Sequence, residues 1–387
     1  MSTEITTNVG ESAIANDTEA YASSASRYGT RGSDATKGGT ETRAPFPPED
    51  GSGRGQFTFT GSAAEYFRIW IVNVALSVIT LGIYSAWAKV RTKHYFYGHA
   101  HLHGSSFEYL ADPVSILKGR LVVGGFLVLV FVAQYYSLGL YLGLALLLLL
   151  LTPYLIVQGL KFRAHNSAYR NVRFGFTGGA GDLYALLARM GLLTVVTLGF
   201  GYPYAQWRIA QFVIANHQYG NRRFAWYAKP VHYYKILWRA VALQMCAAFV
   251  IVLVFIVGRD ILFESPAALM LGGAAFYGVS AWGFAYTQAA LNNLMYNQLV
   301  VGWHRFESSL ATLGLLKLYA TNLIGIVLSL GLLIPWAMVR VARYRAERLA
   351  FLGSAEVLVE KDPALAAGRS VGEAAADLGD VGLEFGI

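Results

Sequence analysis

Three histidines, His99, His101 and His103, alternate with Ala100 and Leu102, and His94 lies just before them. On a strand that spacing turns all three imidazoles to one face, the arrangement that a zinc, nickel or copper ion requires. The alternative is a polar, half-wet strand. Two features favour it: no carboxylate is tied to the histidines, and 117 positions later Asn216, Gln218 and Gly220 stand in their places. The chain is therefore expected to need no metal and no other cofactor.

A second set of residues interrupts apolar sequence. Asn73, Arg189 and Asn322 fall inside the runs 66–88, 183–205 and 313–336. A polar or charged group in hydrocarbon is costly, which marks these three as candidates for lining a solute pathway. Arg68 and Lys317 lie near the starts of their runs, where long side chains reach back to the headgroups. Gln288, Asn292, Asn293, Asn297 and Gln298 cluster at the end of another run, placed either to hydrogen-bond between helices or to line a pathway. Arg91, Arg208 and Arg340 recur after a Trp or Tyr and read as anchors for lipid phosphate, with anionic membrane lipid as the expected partner.

Catalysis has little to work with. There is no phosphate-binding Gly-rich loop, no Gly-x-Ser-x-Gly and no His-Glu-x-x-His, and residues 57–354 contain 8 acids. The acids that do recur, Glu65 and Asp182, sit at expected helix starts, where capping and dipole compensation explain them. The chain is not expected to be an enzyme.

The elements that hold these residues form a repeat. Residues 57–118 match residues 174–235 at one offset: Phe57, Phe59, Thr60 and Gly61 with Phe174, Phe176, Thr177 and Gly178, Thr80-Leu81-Gly82 with Thr197-Leu198-Gly199, Arg91 with Arg208, and Pro113-Val114 with Pro230-Val231. A third, weaker copy brings Asn322, Leu330-Gly331, Trp336-Ala337 and Arg340. Internal repeats fix architecture. Each copy opens with a short aromatic strand ending in a turn glycine, then a helix, a Thr/Ser-Leu-Gly break and a second helix. The first and second copies then show a hairpin, 98–109 and 215–226. The opening strand is expected to pair with that hairpin, because two strands alone are marginal.

The chain is 55% hydrophobic and 14% charged, with a mean hydropathy of +0.43; this is the composition of a membrane protein, not of a soluble domain. Residues 121–135, 138–157, 241–257 and 267–290 are apolar for about a bilayer's thickness. Counting the three repeat runs gives seven spans by length. Charge argues for four, with the repeat runs dipping in and returning: then the basic loops 89–120, 159–173, 206–239 and 340–348 all face the cytoplasm. Residues 57–354 hold 24 bases against 8 acids, and the same rule explains this excess without nucleic acid. The single Cys246 excludes a disulfide framework.

The expected fold is thus an all-α polytopic membrane protein of duplicated helix-break-helix repeats with small β-hairpin insertions. A polar, disordered tail 1–56 precedes the membrane domain 57–353, whose repeats are 57–120, 174–240 and a partial 306–348; an acidic tail 354–387 follows. The strand Phe57-Thr58-Phe59-Thr60-Gly61, the run from Asn73 through Thr80-Leu81-Gly82 to Ala88-Lys89-Val90-Arg91, and Gly104 with Phe107-Glu108-Tyr109 resemble the YjgN family of bacterial inner-membrane proteins, a domain of unknown function. The resemblance covers about 57–353 and implies a multi-pass protein of the bacterial inner membrane, but no reaction. Copy two departs from it with Met190 at the place of Asn73. Broken, repeated helices with polar tips suggest transport of a small solute or ion; interfacial Arg and Trp suggest instead a non-catalytic envelope or lipid-organising protein.

Overall fold

The computed structural model describes residues 53–257, 266–302 and 304–353. Its centre is an antiparallel sheet of eleven short segments, which overturns the all-α expectation. These are β1 (Arg54–Gln56), β2 (Thr58–Phe59), β3 (Ala100–Leu102), β4 (Ser105–Tyr109), β5 (Ser167–Tyr169), β6 (Val172–Phe176), β7 (His217–Tyr219), β8 (Arg222–Trp226), β9 (Leu299–Val301), β10 (His304–Ser308) and β11 (Leu349–Leu352). The order runs β1-β11-β10-β9-β8-β7-β6-β5-β4-β3-β2. The two edge segments, β1 and β2, are separated only by Phe57, whose amide donates to the Leu349 carbonyl at 3.1 Å. One strand therefore serves both edges and the sheet closes into a barrel, which removes the exposed edges that small sheets otherwise leave. Arg54–Gln56 thus belongs to the barrel, not to the N-terminal tail; the remaining tail residues 1–52 and 354–387 lie outside the described residues.

Alternation of direction puts every tight turn at one end of the barrel. His103-Gly104 (φ 46° and 75°) and Arg170-Asn171 (φ 50° and 61°) take the left-handed conformation that two-residue hairpin loops need. At the other end each adjacent strand pair is joined by two helices: α1 (Ala63–Ile79) and α2 (Ser85–His99), α3 (Pro113–Tyr136) and α4 (Leu138–His165), α5 (Ala180–Val196) and α6 (Tyr202–Ala215), α7 (Pro230–Val257) and α8 (Pro266–Asn297), α9 (Thr312–Leu328) and α10 (Ile334–Ala346). Equivalent backbone bonds close the base of all five pairs: Thr60 N to His99 O (3.0 Å), Leu110 N to Asn166 O (2.7 Å), Thr177 N to Asn216 O (2.9 Å), Tyr227 N to Gln298 O (3.0 Å) and Ser309 N to Arg348 O (3.0 Å). The predicted pairing of the opening strand with the hairpin is one case of this five-fold pattern. Around the rim each helix packs on the next, and α10 returns to pack on α1, so the helices form a closed ring above the barrel.

The closed bases also correct the seven-span reading. A run whose two ends bond to each other on the barrel rim cannot cross. At 1.5 Å per residue the 17-residue helices α1, α5 and α9 reach about 25 Å from the rim before the chain turns back, whereas the 24 to 32 residues of α3, α4, α7 and α8 give about 36–48 Å. Among the described residues, α3, α4 and the 230–254 part of α7 are long and apolar enough to span a membrane.

The break at the tip of each short pair satisfies its own backbone, as apolar surroundings demand. Gly82, Gly199 and Gly331 have φ near 91°, and their amides donate to carbonyls five residues back, at 2.7, 2.8 and 2.8 Å, a Schellman closure. The preceding hydroxyls cap the returning helix: Thr80 Oγ1 accepts from Tyr84 N (2.9 Å), Thr197 Oγ1 from Gly201 N (2.7 Å) and Ser329 Oγ from Leu333 N (3.0 Å). Leu81, Leu198 and Leu330 project at these tips, each at least 88% exposed. The recurrent Thr/Ser-Leu-Gly is the signature of an apolar hairpin tip.

Candidate functional site

Alternate residues of the strands point inward and fill the barrel with aromatic rings. Phe57 stacks on Phe107 (centroids 6.2 Å), Phe107 meets Tyr169 (4.7 Å) and Phe174 meets Tyr219 (5.0 Å) at a tilt, and Phe306 packs edge-on against Phe351 (5.3 Å). Buried tyrosine hydroxyls need partners, and they find them on the next strand but one: Tyr219 of β7 donates to the Tyr169 carbonyl of β5 at 2.8 Å, and Tyr169 to the Leu102 carbonyl of β3 at 2.6 Å. Burial pushes both phenols above their ordinary range.

The rings leave a cavity of about 190 Å³. It is mostly apolar, with a polar side made by Lys93 and Tyr97 from α2, Arg163 from α4, Ser167 from β5 and His217 from β7. Ser167 Oγ donates to Tyr97 Oη at 3.3 Å. The His217 ring is buried; its Nδ1 lies 2.7 Å from the Val213 carbonyl, which assigns the proton to that nitrogen. Desolvation, opposed by that bond and reinforced by the nearby Arg163 charge, pushes its pKa down to about 4. The imidazole is therefore neutral at pH 7, and the charge on the cavity wall comes from Lys93 and Arg163.

Comparison of equivalent positions shows how unusual this side is. The offset of 117 and the 132-residue offset between the second and third copies place Ala210 and Ala342 where Lys93 stands, Ile214 and Ala346 for Tyr97, Met295 for Arg163, Leu299 for Ser167, and Ala100 and Leu349 for His217. These five lining residues thus stand where apolar ones stand in equivalent units. None was singled out as a site residue from sequence, because the criteria there were a polar group inside an apolar run and recurrence between copies, and these residues meet neither.

The residues singled out from sequence lie elsewhere. Asn73 and Asn322 are buried inside their own helix pairs, where Asn73 Nδ2 reaches Ala88 O at 3.5 Å and Asn322 Nδ2 reaches Ala337 O at 3.4 Å. Arg189 is exposed on α5. The structure does not bring the three together. Arg91, Arg208 and Arg340 stand eight, seven and six residues above the rim ends of α2, α6 and α10, about 9–12 Å up at 1.5 Å per residue. Arg340 bonds Asn322 Oδ1 (2.7 Å) and Thr321 Oγ1 (3.0 Å) and covers the Trp336 ring at 4.4 Å; Arg208 bonds Gln211 (2.8 Å), and Arg91 the Tyr84 hydroxyl (3.1 Å).

His99, His101 and His103 do not converge. His99 ends a helix, with Nδ1 2.8 Å from Tyr95 O and Nε2 3.7 Å from Glu65; only His101 lies in a strand; His103 occupies a left-handed turn, against Phe351. Among the described residues no three His, Cys, Asp or Glu are placed to hold a metal ion. The asparagine cluster is a clip between helix and strand. Asn293 exchanges bonds with Leu310 N and O (2.9 Å each), and Asn297 with Ser308 N (2.6 Å) and O (3.2 Å), pinning the exit of β10 to α8. Glu65 follows the N-cap Ser62, whose hydroxyl accepts its amide at 3.2 Å.

The chain is similar to proteins named inner membrane protein YjgN. That of Salmonella typhimurium strain LT2 is 27% identical over 364 residues, 78% of this chain and 89% of the relative. Those of Escherichia coli O157:H7 and K12 are 31% and 34% identical over 154 and 129 residues, covering 37% and 31% of this chain and 36% and 30% of theirs. No solved structure matches. With its membrane-length apolar helices, the chain is a multi-pass protein of the bacterial inner membrane. It belongs to the family described as bacterial protein of unknown function (DUF898), whose sequence profile matches residues 54–378.

Proposed function

We propose that this protein carries a small solute along the common axis of its helix ring and barrel, without catalysing a reaction on it. The supporting observation is the place of the cavity: it lies inside the barrel, lined from both sides of the closed sheet, beneath the ring of helices. A solute that enters the ring from the membrane side meets this cavity before the turn end of the barrel. The positive-inside rule orients the assembly, because Lys118, Arg120, Lys161, Arg208, Lys235, Arg239 and Arg340 all stand near the rim ends of their helices. The barrel then lies in the cytoplasm, and the short helix pairs end near the middle of the bilayer.

Flux of a panel of small solutes into proteoliposomes tests this. Ala164 lines the cavity and is 5% exposed, and its equivalent in the next copy is Tyr296, so Ala164→Tyr fills the cavity with a side chain the architecture already accepts. The expected result is flux that Ala164→Tyr abolishes and the Asn73/Arg189/Asn322 triple alanine variant retains. Absence of flux, or flux indifferent to Ala164→Tyr, refutes the reading. One observation favours a lipid-organising role instead: Arg91, Arg208 and Arg340 recur at one height, suited to anionic headgroups as partners.

A further inference from the structure

We infer that His103 and His304 form a plug that closes the turn end of the barrel and withdraws when their imidazoles take up protons. The inference deepens the transport reading by naming how its route is regulated. It rests on that reading for the effect on flux, though not for the plug itself.

Strand register places the plug inside the barrel. Phe351 and Val301 line the cavity; Gly55 is the cross-strand partner of Phe351, and His304 that of Val301. Directly paired residues share a face and alternate residues return to it, so Gly55, Gly353 and His304 all face inward, at the turn-end edge of the cavity. The two glycines are seats for the two rings. A Cβ at Gly55 would strike the His103 imidazole, and one at Gly353 the His304 imidazole, so each ring occupies space that only glycine leaves open. Both rings also meet Phe351, at centroid distances of 5.9 and 5.2 Å, one from the β3–β4 turn and the other from the start of β10. They converge on one side chain, over the seam where β1 pairs with β11.

Packing, not hydrogen bonding, holds the two Nε2 atoms in place. Both are buried, and among the described residues neither has a hydrogen-bond partner. Withdrawal therefore exchanges an unsatisfied buried nitrogen for a hydrated one. Protonation acts on this seat with a definite sign. The groups that face His304 are Arg222, whose strand partner Tyr219 lines the cavity, and His103 itself. Arg170, from the β5–β6 turn, reaches the His103 carbonyl at 3.3 Å and Ser105 Oγ at 3.1 Å, which adds a further cation on the His103 side. On the outer face Arg54 is paired with Glu307 at 3.0 Å. Burial first, then Arg222 and His103, push His304 below its ordinary pKa of 6.5. The seated ring thus binds a proton more weakly than a ring withdrawn into water. The plug is closed above pH 6.5 and is driven open as the pH falls below that value.

The experiment is thiol labelling of Val301→Cys in a chain whose Cys246 is replaced by Ala. Val301 lines the cavity directly behind the plug and is 3% exposed. A charged, membrane-impermeant reagent is added to membrane vesicles from the side on which Asn221→Cys, at an exposed turn, is labelled. The Asn221→Cys rate at the same pH is the reference, which removes the reagent's own pH dependence. Relative to it, Val301→Cys should react slowly at pH 7.5 and about tenfold faster or more by pH 5, since each linked proton contributes up to about tenfold per pH unit. His103→Asn together with His304→Asn supplies planar amides that do not titrate, and asparagine tolerates the left-handed backbone of residue 103. The pair should abolish the rise. His217 remains in that variant, so acid loosening of the barrel through His217 would persist there and be told apart. The pH response itself uses the unaltered plug, so the test survives a double variant that fails to fold. Ready labelling at pH 7.5, no rise on acidification, or a rise kept by the double variant overturns the inference. An acid-dependent rise without solute flux would refute transport alone; flux with Val301→Cys protected at both pH values would refute the plug alone.

Discussion

His217 makes the stability of the barrel depend on pH in a calculable way. Its imidazole has an ordinary pKa of 6.5 in the unfolded chain and about 4 in the fold, where desolvation outweighs the bond to the Val213 carbonyl and Arg163 adds repulsion. The folded state therefore binds the proton more weakly than the unfolded state. Stability is complete above pH 6.5, falls as the pH drops from 6.5 towards 4, and loses nothing more from this group below 4. Each pH unit in that window costs up to about 1.4 kcal/mol, so the whole loss is about 3 kcal/mol. His217→Leu removes the titration and installs the residue found at the equivalent Leu349. The variant should lose the ring's bond to Val213, a pH-independent cost of about 1 kcal/mol, and gain a flatter profile. Unfolding of both proteins in detergent at pH 7.5, 6, 5 and 4 isolates the effect, because other groups that titrate, such as His304, are common to both. The stability difference between wild type and variant should shrink and reverse by about 3 kcal/mol between pH 7.5 and 4. Parallel losses in the two proteins would refute the assignment of a buried neutral imidazole to this position.

Three further outcomes follow from the architecture. With Cys246 replaced by Ala, single cysteines at Asn221 and Ser137 should label only from the cytoplasm and only from the periplasm, and cysteines at Leu81 and Leu198 from neither side; a tip labelled from the periplasm would restore the seven-span reading. Asn322→Met should destabilise by about 1–3 kcal/mol in detergent unfolding, because Arg340 loses a charged hydrogen bond at 2.7 Å, while Asn73→Met should cost less: Asn73 makes one long bond, and the second copy already carries Met190 there; equal costs would contradict this. Arg208→Glu should lower the anionic lipid retained on purification, measured by native mass spectrometry, and unchanged retention would remove Arg208 from the anchors.

The membrane runs, the hairpins around Gly104 and Gly220 and the helix breaks were legible because each depends on local chemistry: hydropathy, turn glycines and a capping hydroxyl. The barrel was not. Its strands are 2–5 residues long, too short for alternation to declare itself, and two of the hairpins turn through Arg170-Asn171 and Gly302 between membrane helices. Closure is a long-range property, visible only when Arg54–Gln56 is seen paired with Leu349–Leu352. Topology could nonetheless be inferred in part, since a strand that pairs with a hairpin beyond a helix pair requires that pair to return. The placement of the histidines was not legible for a local reason: alternation in sequence is alternation in space only along one strand, and His99, His101 and His103 lie in a helix end, a strand and a left-handed turn.

Recurrence and function pull in opposite directions in a ring of equivalent units. A residue that appears in every copy serves what every copy must do, which here is to close a base, turn the chain at a tip or hold a helix pair together. Asn73 and Asn322 brace two helix pairs in the same way, and Arg91, Arg208 and Arg340 stand at one height above the rim. A ligand bound at the centre of such a ring sees every unit at once and cannot be matched by all of them unless it shares their symmetry. A small asymmetric solute must be recognised by positions where the units differ. Lys93, Tyr97, Arg163, Ser167 and His217 are such positions, and they share one cavity. Cations and a buried imidazole stand there where alanine, methionine and leucine stand at equivalent positions of other units, so the cavity wall is asymmetric in a ring that is otherwise repeated.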